Sequence, residues 1–182
     1  MIRRTALGAL AGAATIPFLA RGAWAQTASM PSDPMQLRAM GLAGSAFAMQ
    51  TSEMALQQAT RPDVRQFAQF EAAEQRALME AMRVGGVDVP AQVTMDARKS
   101  QMLQQLRAAQ GPAFDRAYIE GQVMGHQELL QIHQTMARSA PTPVERALST
   151  LAVASIQQHL VMLQGLQNDT GALTGGGGRS TR

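Results

Sequence analysis

The side chains best suited to chemistry are two histidines and two glutamates on or beside the apolar stripes of four predicted helices: Glu53, Glu74, His126 and His159. Carboxylates together with imidazoles are ligands for Fe, Mn or Zn, and the interior of a helix bundle often holds such sites. Because a buried polar group without a partner costs roughly 1–3 kcal/mol, these groups must pair, bind water, bind a metal or lie at an exposed edge. The pattern predicts a metal site formed by these four residues.

One long helical stretch, residues 114–134, carries most of the polar residues at core spacing. Its polar residues recur at steps of 3, 4, 4 and 7 and therefore share one helix face: Asp115, Tyr118, Gln122, His126 and His133. His133 lies two turns beyond His126 and is expected at the other end of the fold, outside the site.

Alternatives remain open for these residues. Each histidine is also compatible with a hydrogen-bonded core, and Asp115 with Tyr118 is compatible with a local polar pair. Glu71, on the apolar stripe of the second helix, is interpreted as a solvated charge at the rim. The 13 methionines, with Met79 and Met82 three residues apart, allow Cu(I) binding, but methionine at helical spacing more commonly fills a core.

Apolar periodicity, proline and glycine predict four long helices and one short one. The expected ranges are about 34–59, 62–84, 95–109, 112–138 and 143–167. The inner face of the second is predicted to contain Val64, Phe67, Glu71, Glu74, Leu78 and Ala81. The inner face of the last is predicted to contain Leu148, Leu151, Ser155, His159, Met162 and Leu166. The predicted fold is all-α, an antiparallel four-helix bundle with one extra short helix in the middle.

The first residues are typical of a targeting segment. Arg3 and Arg4 precede an uncharged apolar run, and Ala23-Trp24-Ala25 fits a signal peptidase site, which predicts a signal peptide over 1–25. The paired arginines fit a twin-arginine signal, with a general secretory signal as the alternative. The remaining chain divides into a polar lead-in (26–32), the helical domain (33–168) and a disordered glycine-rich tail (169–182). We expect a periplasmic or otherwise exported protein, free or associated with the outer membrane, with no transmembrane segment in the mature chain.

The charge and composition exclude several function classes. Three of the 16 basic residues and none of the 13 acidic ones lie in 1–25, so the mature chain has 13 of each and no basic stripe for nucleic acid. No cysteine is present, so disulfides do not hold the fold. No nucleophile with a base, phosphate loop or oxyanion motif is recognised.

Three segments resemble a known family: VRQFAQFEAAEQ (64–75), FDRAYIEGQVMGHQE (114–128) and QQHL (157–160). They are similar to an exported bacterial family with a domain of unknown function and a predicted ferritin-like fold, often labelled as outer-membrane proteins. The resemblance spans about 35–166 and implies a ferritin-like bundle without an established activity. It matches Glu53, His126 and His159 to the family's glutamate and histidines on the first, third and fourth long helices. Glu74-Gln75 stands where the family has an Asp-His pair.

Two functions follow as hypotheses. The first is an exported ferritin-like bundle that binds a metal ion in its core. The second is a non-catalytic envelope or stress-related binding or structural module without a metal. Self-association into a homo-oligomer is compatible with both.

Overall fold

The computed structural model describes residues 30–175, with side chains as far as residue 169. The predicted signal peptide and residues 176–182 lie outside the described part. Five helices and no strand make up the described chain: α1 (Pro34–Gln58), α2 (Pro62–Val84), α3 (Ala97–Ala108), α4 (Gly111–Ser139) and α5 (Pro143–Gly175). The all-α prediction is confirmed. Of the helices described, none combines the length and the apolar character needed to cross a bilayer.

Local sequence signals determine where the helices begin. The carboxylates of Asp33 and Asp96 accept hydrogen bonds from the backbone amides of Met35 and Lys99, at 3.1 and 2.8 Å. At the start of α5, the Glu145 amide donates to Thr142 Oγ1 and the Thr142 amide donates to Glu145 Oε2, both at 3.2 Å. These contacts satisfy amide groups that have no partner within the helix.

Each of the four long helices packs mainly against two of the other long helices. α1 packs against α2 and α4, and α5 packs against the same two helices. The end of α1 lies beside the start of α4, where the Thr60 amide donates to Asp115 Oδ1 at 3.0 Å. His133 late in α4 contacts Ser149 early in α5. Consequently α1 and α5 run in one direction and α2 and α4 in the other.

One long connection, residues 85–110, joins the parallel helices α2 and α4 and contains α3. The Lys99 ammonium fastens α3 to α4, because it donates to both carboxylate oxygens of Glu128 at 2.8 Å and to Asp96 Oδ2 at 2.8 Å. Only 5% of Lys99 is exposed. The opposing charges compensate the cost of burying its ammonium group.

The buried stripes of α2 and α5 differ from the predicted ones. On α5, the predicted inner residues Leu151 and Met162 are 69% and 38% exposed. The stripe instead follows alternating steps of four and three: Glu145, Ser149, Ala152, Ile156, His159, Leu163 and Leu166. On α2 it continues from Glu71 through Gln75, Met79 and Met82. Helix α5 carries apolar residues on several of its faces, so the periodicity of its sequence alone could not determine which face is buried.

The end of α5 also differs from the prediction. The helix continues to Gly175, so residues 169–175, which we assigned to a disordered tail, are helical. Residues 169–174 contain no proline and a single glycine. The helix therefore has no strong stop signal before the glycine run at 175–178.

Small residues on α1 let it approach α4 closely. At Gly44 an added Cβ would lie 2.6 Å from Leu129 Cδ2 and 3.0 Å from its Cγ. Leu129 is itself buried. The helix spacing at this point therefore depends on the missing side chain.

We expect Gly44→Val to destabilise the protein by about 1–3 kcal/mol, because the new side chain overpacks the α1–α4 contact. Gly165→Ala is the control: it lies in a helix with no atom within 4 Å of the added Cβ. That change should stabilise by roughly 0.5–1 kcal/mol through helix propensity. Urea unfolding measures both, and a Gly44→Val protein as stable as the wild type would contradict the close packing.

Candidate metal centre

One buried cluster brings together a carboxylate and two imidazoles from three helices. Glu71 of α2, His126 of α4 and His159 of α5 place their ligand atoms within 4.8 Å of one another, and each is buried. His159 Nδ1 lies 2.9 Å from Glu71 Oε2, and His126 Nε2 lies 3.3 Å from the same oxygen. The two facing ring nitrogens are 3.2 Å apart.

The protonation of His126 is fixed by its other nitrogen. His126 Nδ1 lies 2.8 Å from the backbone oxygen of Gln122. A carbonyl oxygen only accepts, so Nδ1 carries a hydrogen. In the neutral ring Nε2 therefore presents a lone pair to the cluster. This arrangement, with one nitrogen held by a carbonyl and the other free, is the usual one for a metal-binding histidine.

The cluster contains too few hydrogens for its acceptors. Glu71 Oε1 accepts from Gln75 Nε2 at 3.0 Å, but Oε2 makes no hydrogen bond of normal geometry although both rings are near it. With His126 neutral and Glu71 ionised, only His159 Nδ1 can supply a hydrogen to the triangle. A further cation, either a proton on His126 or a metal ion, would resolve the contact between Glu71 Oε2 and His126 Nε2.

The surroundings act on these charges in opposite directions. Burial raises the pKa of Glu71, but hydrogen bonds and positive charge from the two imidazoles in their protonated forms outweigh it, so the pKa lies well below the usual range for a glutamate. Burial lowers the pKa of His159, but the carboxylates of Glu71 and Glu74 outweigh it, so the pKa is raised. The ionised carboxylate is the form that binds a metal.

Glu74, a predicted ligand, lies on the outer side of His159. Its Oε2 is 3.6 Å from His159 Nε2, the ring nitrogen that points away from the triangle. Its Oε1 accepts from Ser155 Oγ at 2.6 Å. Glu74 thus lies beside the cluster, at the outer nitrogen of His159. It is not one of the three residues whose ligand atoms converge.

Glu53, the other predicted carboxylate ligand, is elsewhere. Its Oε1 pairs with Arg76 at 2.9 Å, with both side chains about half exposed. The structure does not bring Glu53 to the histidines, because the buried face of α1 at this height is formed by Thr51, Ser52 and Ala55.

The carboxylate that contacts both histidines is Glu71, whereas the sequence predicted Glu53 and Glu74. The interpretation of Glu71 as a solvated rim charge is wrong, because its side chain is 0% exposed. The sequence signal for its burial was its position on the stripe of α2, after Val64 and Phe67 and one turn before Gln75. Periodicity placed Glu71 and Glu74 on the same predicted face and could not decide which one points inward.

The other polar residues of α4 build its contacts with α1. Asp115 accepts hydrogen bonds from the amides of Thr60 and Arg61 and so ties the connection between α1 and α2 to α4. Tyr118 OH lies 2.8 Å from Ser52 Oγ, and Gln122 Nε2 donates to Thr51 Oγ1 at 2.9 Å. The local pair of Asp115 with Tyr118 is therefore not formed; both residues bind groups at the α1 side instead.

Comparison with known proteins provides a family. A family model for a domain of unknown function, DUF4142, matches residues 20–166. The chain belongs to this family. No curated protein and no solved structure matches the chain. The DUF4142 match agrees with the resemblance found in the sequence to a family of unknown function, and the site geometry is the remaining guide to what this member does.

His133 of this DUF4142 chain is buried apart from the cluster. Its Nδ1 lies 3.2 Å from Ser149 Oγ, and burial lowers its pKa to about 4. The unfolded chain, with a histidine pKa near 6.5, binds this proton more readily than the folded chain. The stability linked to His133 is therefore complete above about pH 6.5 and is lost as the pH falls toward 4.

We expect the wild type to lose roughly 2–3 kcal/mol more stability than His133→Gln when the pH falls from about 7.5 to about 4.5. Because both proteins keep the other titrating groups, the difference between their urea-unfolding free energies isolates His133. Equal pH dependence in the two proteins would contradict a buried neutral imidazole.

Proposed function

We propose that this protein is an exported, ferritin-like helical protein that binds one divalent transition-metal ion through Glu71, His126 and His159. The observation that supports it most directly is the 3.3 Å contact between Glu71 Oε2, which is buried and makes no hydrogen bond of normal geometry, and His126 Nε2, which presents a lone pair when its ring is neutral. A metal ion would accept electron density from both atoms and remove their repulsion.

The spacing of the donor atoms fits this function. The three facing atoms are separated by 2.9, 3.2 and 3.3 Å. Nitrogen and oxygen donors that share one ion at about 2.0–2.2 Å lie roughly 3 Å apart. The donors therefore need only small movements to share an ion.

The ligand types favour particular metals. Two imidazoles with one carboxylate occur in zinc enzymes and in non-haem iron proteins. The cluster includes no thioether, so Fe, Mn or Zn suits it better than Cu(I). A bound ion would supply Lewis acidity or, for iron and manganese, redox chemistry. Glu71 would neutralise part of its charge, and Gln122 O would hold the His126 ring in place.

The order of the helices supports the ferritin-like assignment. Two pairs of neighbouring helices, α1 with α2 and α4 with α5, are joined by a single long crossover between parallel helices. One long crossover is the connection that characterises ferritin-like bundles. The predicted signal peptide at 1–25 supports export, so we place this site outside the cytoplasm.

We expect protein purified after native export to contain about one metal ion per chain. Its melting temperature should fall when the ion is removed. His126→Ala, His159→Ala and Glu71→Gln should each weaken binding by more than about 100-fold, since losing even an outer partner of a ligand costs about 10–100-fold. Elemental analysis and metal-dependent melting measure these effects.

Two matched variants serve as controls. His133→Ala removes a buried histidine outside the cluster, and Glu53→Gln removes the carboxylate that pairs with Arg76, so both should keep the metal. A wild type without stoichiometric metal and without a metal-dependent change in melting temperature would contradict the proposal. That result would favour a binding or structural module with a hydrogen-bonded core.

A further inference from the structure

Solvent exposure at the cluster is limited to the side chain of His159 and its neighbour Glu74. Glu71 and His126 are 0% exposed, whereas the side chain of His159 is 9% exposed and that of Glu74 is 39% exposed. Exposure increases from His126 through His159 to Glu74. Among the side chains in contact with the cluster, Glu74 is therefore the most exposed.

Phe67, Gln122 and Gln75 contact the cluster on its other sides. The Phe67 ring packs against both imidazoles, with centroids 5.4 Å from His159 and 6.1 Å from His126. Gln122 O closes the far side of His126, and Gln75 covers the second oxygen of Glu71. An ion that passed these groups would displace a buried ring or break a buried hydrogen bond.

A groove between α2 and α5 opens beside the exposed edge. It has a volume of about 250 Å³ and is walled mainly by apolar side chains, including Leu78, Leu148 and Leu151. Glu74 is the only charged residue among those that line it, and Ser155 provides the other polar contact. Residues 147–168 of α5 contain no Asp, Glu, Lys or Arg, so no cation on this helix competes for Glu74.

The orientation of Glu74 is fixed. Ser155 Oγ donates to Glu74 Oε1 at 2.6 Å, and this leaves Oε2 directed toward His159 Nε2 at 3.6 Å. A single negative charge between low-dielectric walls concentrates cations near it and raises their association rate. The carboxylate is thus held between the groove and the ring that would bind the ion.

We propose that the α2–α5 groove lined by Glu74 is the route by which a divalent cation reaches the buried site, and that Glu74 attracts the cation to the edge of the cluster at His159. This inference rests on the proposed metal site. Glu74 does not itself bind the ion in its final position. It increases the rate of arrival, and Glu71, His126 and His159 determine how long the ion remains.

Stopped-flow binding of Co²⁺ to the metal-free full chain tests the route, because Co²⁺ absorbance reports each binding event. Glu74→Gln keeps an oxygen facing His159 but removes the charge. We expect association about tenfold slower, with dissociation and the final stoichiometry little changed. The difference should shrink at high salt, and Glu74→Asp should recover most of the rate.

Glu80→Gln is the matched control, because Glu80 is also an exposed glutamate on α2 but pairs with Arg83 outside the groove. It should bind Co²⁺ at the wild-type rate. An unchanged rate in Glu74→Gln, or an equal loss in Glu80→Gln, would overturn the route while leaving the metal site intact. Failure of the wild type to bind Co²⁺ would overturn the metal site itself.

Discussion

With His126 neutral and Glu71 ionised, the buried cluster of Glu71, His126 and His159 has more hydrogen-bond acceptors than hydrogens to satisfy them. Glu71 Oε2 and His126 Nε2 face each other with His159 Nδ1 as the shared neighbour. Removing a carboxylate from water is costly, and nearby positive charge or hydrogen-bond donors must offset that cost. The groups around this cluster hold its acceptors in place: the Phe67 ring packs against both imidazoles, the Gln75 side chain binds the second oxygen of Glu71, and the backbone oxygen of Gln122 fixes the tautomer of His126.

Most of the polar residues on the buried face of α4 align this helix with its neighbours. Asp115, Tyr118 and Gln122 all bind groups on α1 or at the start of α2. They fix the height and rotation of α4 relative to α1. Because His126 follows Gln122 by one helical turn, that alignment also positions its ring. On the polar face of α4, the residues at the start of the helix therefore align it with α1, and His126 in the middle contributes to the cluster.

Much of this could be predicted from the sequence, and the failures have a common cause. Most helix starts followed from the prolines and glycines, since these signals act within a few residues. The burial of the two histidines was predicted because each falls on the apolar stripe of its helix. The carboxylate partner was not found, because Glu71 and Glu74 are three residues apart and both fit the predicted stripe of α2. Only contacts with α4 and α5 determine which one turns inward, and local periodicity contains no information about them.

The long crossover between α2 and α4 has a consequence for how the molecule is assembled. It divides the chain into two helical hairpins, each formed by contacts between neighbours in sequence, which are the contacts that form early in folding. Glu71 belongs to the first hairpin, and both histidines belong to the second. The three-residue cluster therefore exists only after the hairpins have met. An ion held there would act as a cross-link between the two halves, at the interface where α2 meets α5, and its binding energy would become part of the energy that keeps them together.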